Sequence, residues 1–117
     1  MTSMIETFAR LHIPGNPLVL FNIWDAGSAK AVAEAGAQAI ATGSYGVAEA
    51  QGFKDGEAFT LDLALTNLER TVGVTDLPVT LDMESGYGAT AAEGGRAVAT
   101  ARAAGALGGK LTGAGGG

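Results

Sequence analysis

Leu18-Val19-Leu20-Phe21-Asn22-Ile23, then Asp25 to Ala35, then Ala37-Gln38-Ala39-Ile40-Ala41-Thr42: this stretch decides the fold class of the chain. The first run is short and almost wholly apolar, as suits a strand buried on both faces, and it follows the breaker Pro14-Gly15-Asn16-Pro17. Asp25 is placed to cap a helix over Ala26 to Ala35, and Gly36 to stop it. Residues 37–42 repeat the pattern of a short buried strand. Strand, helix and strand in about 30 residues make a βαβ unit.

The pattern continues on both sides. Upstream, Ser3 can cap a helix carrying Ile5, Phe8 and Leu11 at helical spacing. Downstream, Gly43 to Phe59 has few periodic residues and three separated glycines (Gly46, Gly52, Gly56), so it reads as a long loop of functional kind. Thr60 and Asp62 open a helix that puts Leu61, Leu65, Leu68 and Val72 on one face. Leu77 to Met83 is a third strand, Glu84 to Thr90 a glycine-rich turn, and Ala91 to Ala104 a further helix of high propensity. A helix followed by three strand–helix pairs implies α/β architecture, with a parallel sheet covered by helices. Three strands fit a doubly wound sheet or the first part of an eight-stranded barrel, which needs about 200 residues or more to close.

Composition narrows the function classes. The 117 residues suit one domain, and 47% hydrophobic content makes it globular. Only 16% of residues are charged, the net charge is −5, and Lys and Arg do not cluster, which argues against nucleic acid or anionic membrane as a partner. The absence of cysteine excludes disulfides, thiolate metal sites and a catalytic thiol within these residues. The first ten residues lack a basic segment followed by an apolar run, and no apolar stretch approaches the roughly 20 residues that span a bilayer. The expectation is a soluble, cytoplasmic protein.

Polar chemistry gathers where each strand ends, at Asn22-Ile23-Trp24-Asp25, Thr42-Gly43-Ser44-Tyr45-Gly46 and Asp82-Met83-Glu84. Active sites of parallel α/β proteins lie at these carboxyl ends. Asp82 and Glu84 share one face of a strand, and paired carboxylates there repel unless a cation lies between them or one is protonated. Hard oxygen ligands suit Mg²⁺ or Mn²⁺. The alternative is a solvated Glu84 and an Asp82 that caps the turn, and spacing leaves both open. Asp55, before Gly56, is an acid/base or metal-site candidate or else a turn former. Ser44, Tyr45 and Gly46 offer hydroxyl and N–H groups to a carboxylate, or simply leave the strand. His12 suits the surface, and Trp24 suits packing. Gly86-Tyr87-Gly88-Ala89-Thr90-Ala91 also fits G-x-G-x-x-A, but it follows the third strand and no ribose-binding acid comes after it on a further strand.

Four segments, in order, resemble the isocitrate lyase/phosphoenolpyruvate mutase superfamily: residues 17–29, 39–48, 52–57 and 78–88, the last being the most specific. The resemblance covers about residues 5–104. It implies the N-terminal part of a TIM-type (β/α)8 barrel, a Mg²⁺-dependent enzyme and a homotetramer. The implied reaction makes or breaks a C–C or P–C bond next to an α-keto or α-hydroxy carboxylate, through an enolate. By resemblance Asp82 and Glu84 hold Mg²⁺ largely through water, Ser44, Tyr45 and Gly46 bind the carboxylate of a small substrate, and Asp55 sits beside the metal as the catalytic group.

The chain departs from that pattern after residue 104. The superfamily continues into a fourth strand with a Glu ligand and a loop with a catalytic Lys or Cys, whereas residues 105–117 are a glycine-rich tail. The tail resembles the C-terminal motif of GHMP small-molecule kinases, without their serine loop. Residues 1–104 are therefore read as a partial barrel and 105–117 as a separate tail. A non-catalytic fragment or pseudoenzyme, and a nucleotide-binding module using Gly86 to Ala91, stand as the alternatives to the lyase/mutase reading.

Overall fold

The computed structural model describes residues 3–56, 58–84, 87, 90–103 and 105–106, with the backbone of 109–110. Helix α1 (Met4–Arg10) precedes strand β1 (Phe21–Ile23), α2 (Ala26–Glu34), β2 (Ile40–Thr42) and α3 (Ser44–Ala50). Then come α4 (Leu61–Val72), β3 (Val79–Asp82), α5 (Ala91–Ala103) and the two-residue β4 (Gly109–Lys110).

The helices start where side-chain caps permit. Ser3 and Glu6 close a capping box on α1, as Asp25 and Ser28 do on α2, and Thr60 Oγ1 accepts the Leu63 N–H at 3.3 Å to start α4. Thr90 and Glu93 exchange the same reciprocal bonds at the head of α5. Gly36 ends α2 at φ 108°, a conformation that costs a residue with a Cβ roughly 1–2 kcal/mol.

The strands lie in the order β1-β2-β3-β4, with every pair parallel. Each strand therefore sits beside its predecessor, with no reversal of order such as a doubly wound sheet shows. Ala29 of α2, Leu68 of α4 and Ala97 and Ala101 of α5 pack with Ile23, Ile40, Val79, Leu81 and Met83 in a single core. Helices on one face and sequential strands are the geometry of a barrel wall. This is the first part of a TIM-type barrel, as the sequence predicts. Leu68 is buried, with Leu61, Leu65 and Val72 half-buried around the same core, so the α4 stripe is the expected one. Among the described residues no helix is long and apolar enough to cross a membrane.

Two features differ from expectation. The segment 43–59 is not loop throughout, because α3 occupies its first half. That helix has no side-chain cap and carries Gly46 inside it, so it lacks the local signals of the other helices. Strand β1 is not buried on both faces: only Ile23 is covered, while Phe21 and Asn22 are exposed at the sheet edge. The helices cover one side of the sheet, and the other side remains open in these residues. Beyond residue 104, the backbone of β4 pairs with β3.

Thr71 lies fully buried in α4, and its Oγ1 has no hydrogen-bond partner among the described residues. A buried hydroxyl left unbonded costs about 1–3 kcal/mol, and valine has the same shape without it. Thr71→Val should therefore raise stability by about 1 kcal/mol or more, seen as a higher urea midpoint at unchanged slope. An equal or lower midpoint would count against this assignment.

Candidate active site

Parallel pairing brings all the strand ends to one rim. In the register Ile23 meets Thr42, while Ile40 and Ala41 meet Val79 and Thr80. Thr42 is consequently level with the end of β3, and its Oγ1 accepts the Asp82 N–H at 3.0 Å.

The Asp82 carboxylate links three elements. Its Oδ2 accepts the N–H of Ser44, the first residue of α3, at 3.3 Å. Its Oδ1 accepts the Glu84 N–H at 2.9 Å, an Asx-type bond that turns the chain sharply after β3. Asp82 is thus the turn cap that the sequence allowed, and it also faces the rim.

Glu84 is not solvated. It is 7% exposed, with Oε1 accepting the Gly56 N–H at 2.9 Å and Oε2 accepting the Tyr87 hydroxyl at 3.2 Å. Its φ is 52° and that of Tyr87 is 58°, both in the left-handed region that side chains other than Gly seldom adopt. Each costs roughly 1–3 kcal/mol, sustained by the bonds around it. Burial, carboxylate bonding and backbone strain coincide on one residue, and the solvated reading falls.

Between these groups is a cavity of about 10 Å³, close to the size that admits one water. Its polar lining is Thr42, Ser44, Asn67, Asp82, Glu84 and Tyr87. Asn67 also donates to the Trp24 carbonyl at 3.1 Å, tying α4 to the turn after β1.

The candidates named from sequence divide here. Asp82, Glu84 and Ser44 come together. Gly46 is half-buried beside Trp24, and Tyr45 is 66% exposed. Asp55 is exposed and does not line the cavity, but its neighbour Gly56 is bonded to Glu84, so the loop that carries it is anchored at the site. Trp24 is exposed and not packed in the core. His12 stays on the surface, its Nδ1 2.9 Å from the Phe8 carbonyl. Thr42, Asn67 and Tyr87 are site residues to which the sequence assigned no role. Only the register, opposing Thr42 to the end of β3, could have pointed to one of them. Gly86, Gly88 and Ala89 of the G-x-G-x-x-A stretch lie outside the described residues. Among those described, no third His, Cys, Asp or Glu forms a metal-binding cluster with this pair.

The family model described as phosphoenolpyruvate phosphomutase matches residues 8–114. A candidate phosphonomutase structure from Burkholderia cenocepacia J2315 is 52% identical with a TM-score of 0.88, over 92% of this chain and 44% of that one. A candidate lyase/mutase from the same organism is 34% identical with a TM-score of 0.81, over 92% and 38%. An uncharacterised Mycobacterium tuberculosis protein is 37% identical over 81 residues, which is 69% of this chain and 31% of that protein. The chain thus spans less than half the length of these similar proteins.

The Gly56–Glu84 bond gives the loop a local test. A hydrogen bond to a charged group contributes about 1.5–3 kcal/mol, so its loss raises the open population roughly 10–100-fold. Glu84→Ala should accelerate trypsin cleavage after Lys54 by about tenfold or more, read by mass spectrometry of native digests. Cleavage at the wild-type rate would show that the loop is held by something else.

Proposed function

This chain belongs to the phosphoenolpyruvate phosphomutase family, and on that premise we propose that it forms the metal- and carboxylate-binding part of a Mg²⁺-dependent enzyme. The family is one of lyase/mutase-type enzymes. The reaction we assign makes or breaks a C–C or P–C bond adjacent to an α-keto or α-hydroxy carboxylate, through an enolate. The observation that carries this reading is the Asp82–Glu84 pair: two carboxylates at one strand end, held by Ser44 and Gly56 N–H groups and lining one cavity.

These residues fit a hard divalent cation. Both carboxylates offer oxygen only, which is the donor chemistry that hard divalent cations prefer. Mg²⁺ characteristically keeps several waters and takes one or two carboxylates. When bound, such an ion supplies positive charge where the enolate oxygen develops its negative charge.

The chain's own groups have distinct tasks. Asp82 orients the head of α3 through Ser44, and the first-turn N–H groups at Tyr45 and Gly46 have no intrahelical acceptor, so they can receive a substrate carboxylate. Donors fixed before reaction stabilise developing charge without reorganising. Tyr87 and Gly56 hold both Glu84 oxygens in place. We assign the acid/base role to Asp55, whose loop is anchored to Glu84 through Gly56. The partners are a small carboxylate and further copies of the chain, as a homotetramer in the cytoplasm.

Calorimetry tests this directly. Mg²⁺ followed by oxalate, an enolate mimic, should give saturable heat. Carboxylates that act largely through water behave as outer-shell partners, so Asp82→Asn and Glu84→Gln should each weaken Mg²⁺ binding roughly 10–100-fold. No heat with oxalate would leave the non-catalytic reading, and heat only with ATP or NAD would favour a nucleotide site.

A further inference from the structure

The hollow on the open sheet face, about 190 Å³ between β1 and β3, takes its shape from what lies beyond this chain. The small cavity on the helix side does not. Its lining runs from Thr42 to Tyr87, through the ends of β2 and β3 and through α3 and α4. These elements already cover Thr42 to 5% exposure and Asn67 to 6%, and further barrel strands would add cover without removing any.

Both of these buried side chains carry a hydrogen-bonding group that the described residues do not satisfy. A carbonyl only accepts, so the end of the Asn67 carboxamide that meets the Trp24 carbonyl at 3.1 Å is Nδ2. Trp24 does not line the cavity, and Oδ1, at the other end of the amide, makes no hydrogen bond among the described residues. Thr42 Oγ1 accepts the Asp82 N–H at 3.0 Å, but its own proton reaches no acceptor among those residues. An acceptor and a donor thus border one space of about 10 Å³, near the volume a single water needs. Polar groups covered this deeply are nearly always paired, with protein or with ordered water.

We propose that this cavity is the binding site of one ordered water, which accepts the Thr42 hydroxyl proton and donates a hydrogen to Asn67 Oδ1. Through that water Asn67 acts as a positioning residue for the Asp82 end of β3, because Thr42 also holds the Asp82 N–H. The link ties α4, and by the second amide group the turn after β1, to the strand end that bears the carboxylates. The positioning role rests on the metal-binding function proposed above, whereas the water site does not.

The test uses the full-length chain. A high-resolution crystal structure of the wild type without Mg²⁺ should show one water within hydrogen-bonding distance of both Asn67 Oδ1 and Thr42 Oγ1, a readout independent of any variant's folding. In solution, ¹⁷O relaxation dispersion should count one long-lived water fewer in Thr42→Val and in Asn67→Leu, while Thr42→Ser, which keeps the hydroxyl, retains it. Each of the first two variants should weaken Mg²⁺ roughly two- to tenfold, the worth of one ordinary hydrogen bond. Because both remove the same water, the loss in T42V/N67L should fall short of the product of the single losses. A wild-type cavity without water, or one that holds a cation instead, would overturn the inference. Losses that multiply in full would overturn the positioning role. A wild type that holds the water but does not bind Mg²⁺ would overturn the proposed function and the positioning role, and would support the water site.

Discussion

The carboxylate of Asp82 accepts one N–H from the head of α3 and another from the turn beyond β3, while its own N–H is taken by Thr42 of the neighbouring strand. These contacts span separations of 38 and 40 residues as well as one of two, so they join parts of the chain that approach only after the sheet has formed. Parallel pairing makes this possible, since it brings the end of every strand to the same edge. Charge strengthens it: bonds to an ionised carboxylate are about twice as strong as neutral ones. The rim is therefore organised from one residue outward, with α3, the 51–56 loop and the strained turn each placed by reference to it.

The site is divided by that same residue. On the helix side the cavity is nearly closed and little larger than a water, walled by Val47 and Phe59. On the open side the hollow is many times larger and bordered by small side chains. Asp82 lines both spaces. Alternation along the strands, with Ala41 in β2 and Gly43 just after it, is enough to produce this arrangement.

Much of this was legible in the sequence. The caps Ser3, Asp25 and Thr60 and the stripe Leu61-Leu65-Leu68-Val72 depend on neighbours within a few residues, and they appear where local pattern puts them. Asp82 and Glu84 were visible as a pair because a strand places alternate residues on one face. Less was visible of what surrounds them. The bond from Gly56 to Glu84 crosses 28 residues, and that from Asn67 to Trp24 crosses 43, so neither leaves a local trace. Helix α3 escaped notice for the opposite reason: it is held by the Asp82 contact and by packing of Val47 and Ala48, not by propensity or a side-chain cap. Strand β1 reads as doubly buried because apolar composition records what a strand can be covered by, and not which face is covered in a given set of residues.

The backbone at Glu84 and Tyr87 has a consequence for how the protein can be engineered. Glycine or asparagine at either position would fit the local φ better than the resident side chain and relax the turn. Selection for heat resistance alone would be drawn to these two positions, and would exchange a buried carboxylate and its hydroxyl partner for a calmer turn. Backbone ease and the Glu84–Tyr87 contact oppose each other here, so a thermostable library should be built with residues 84 and 87 held fixed.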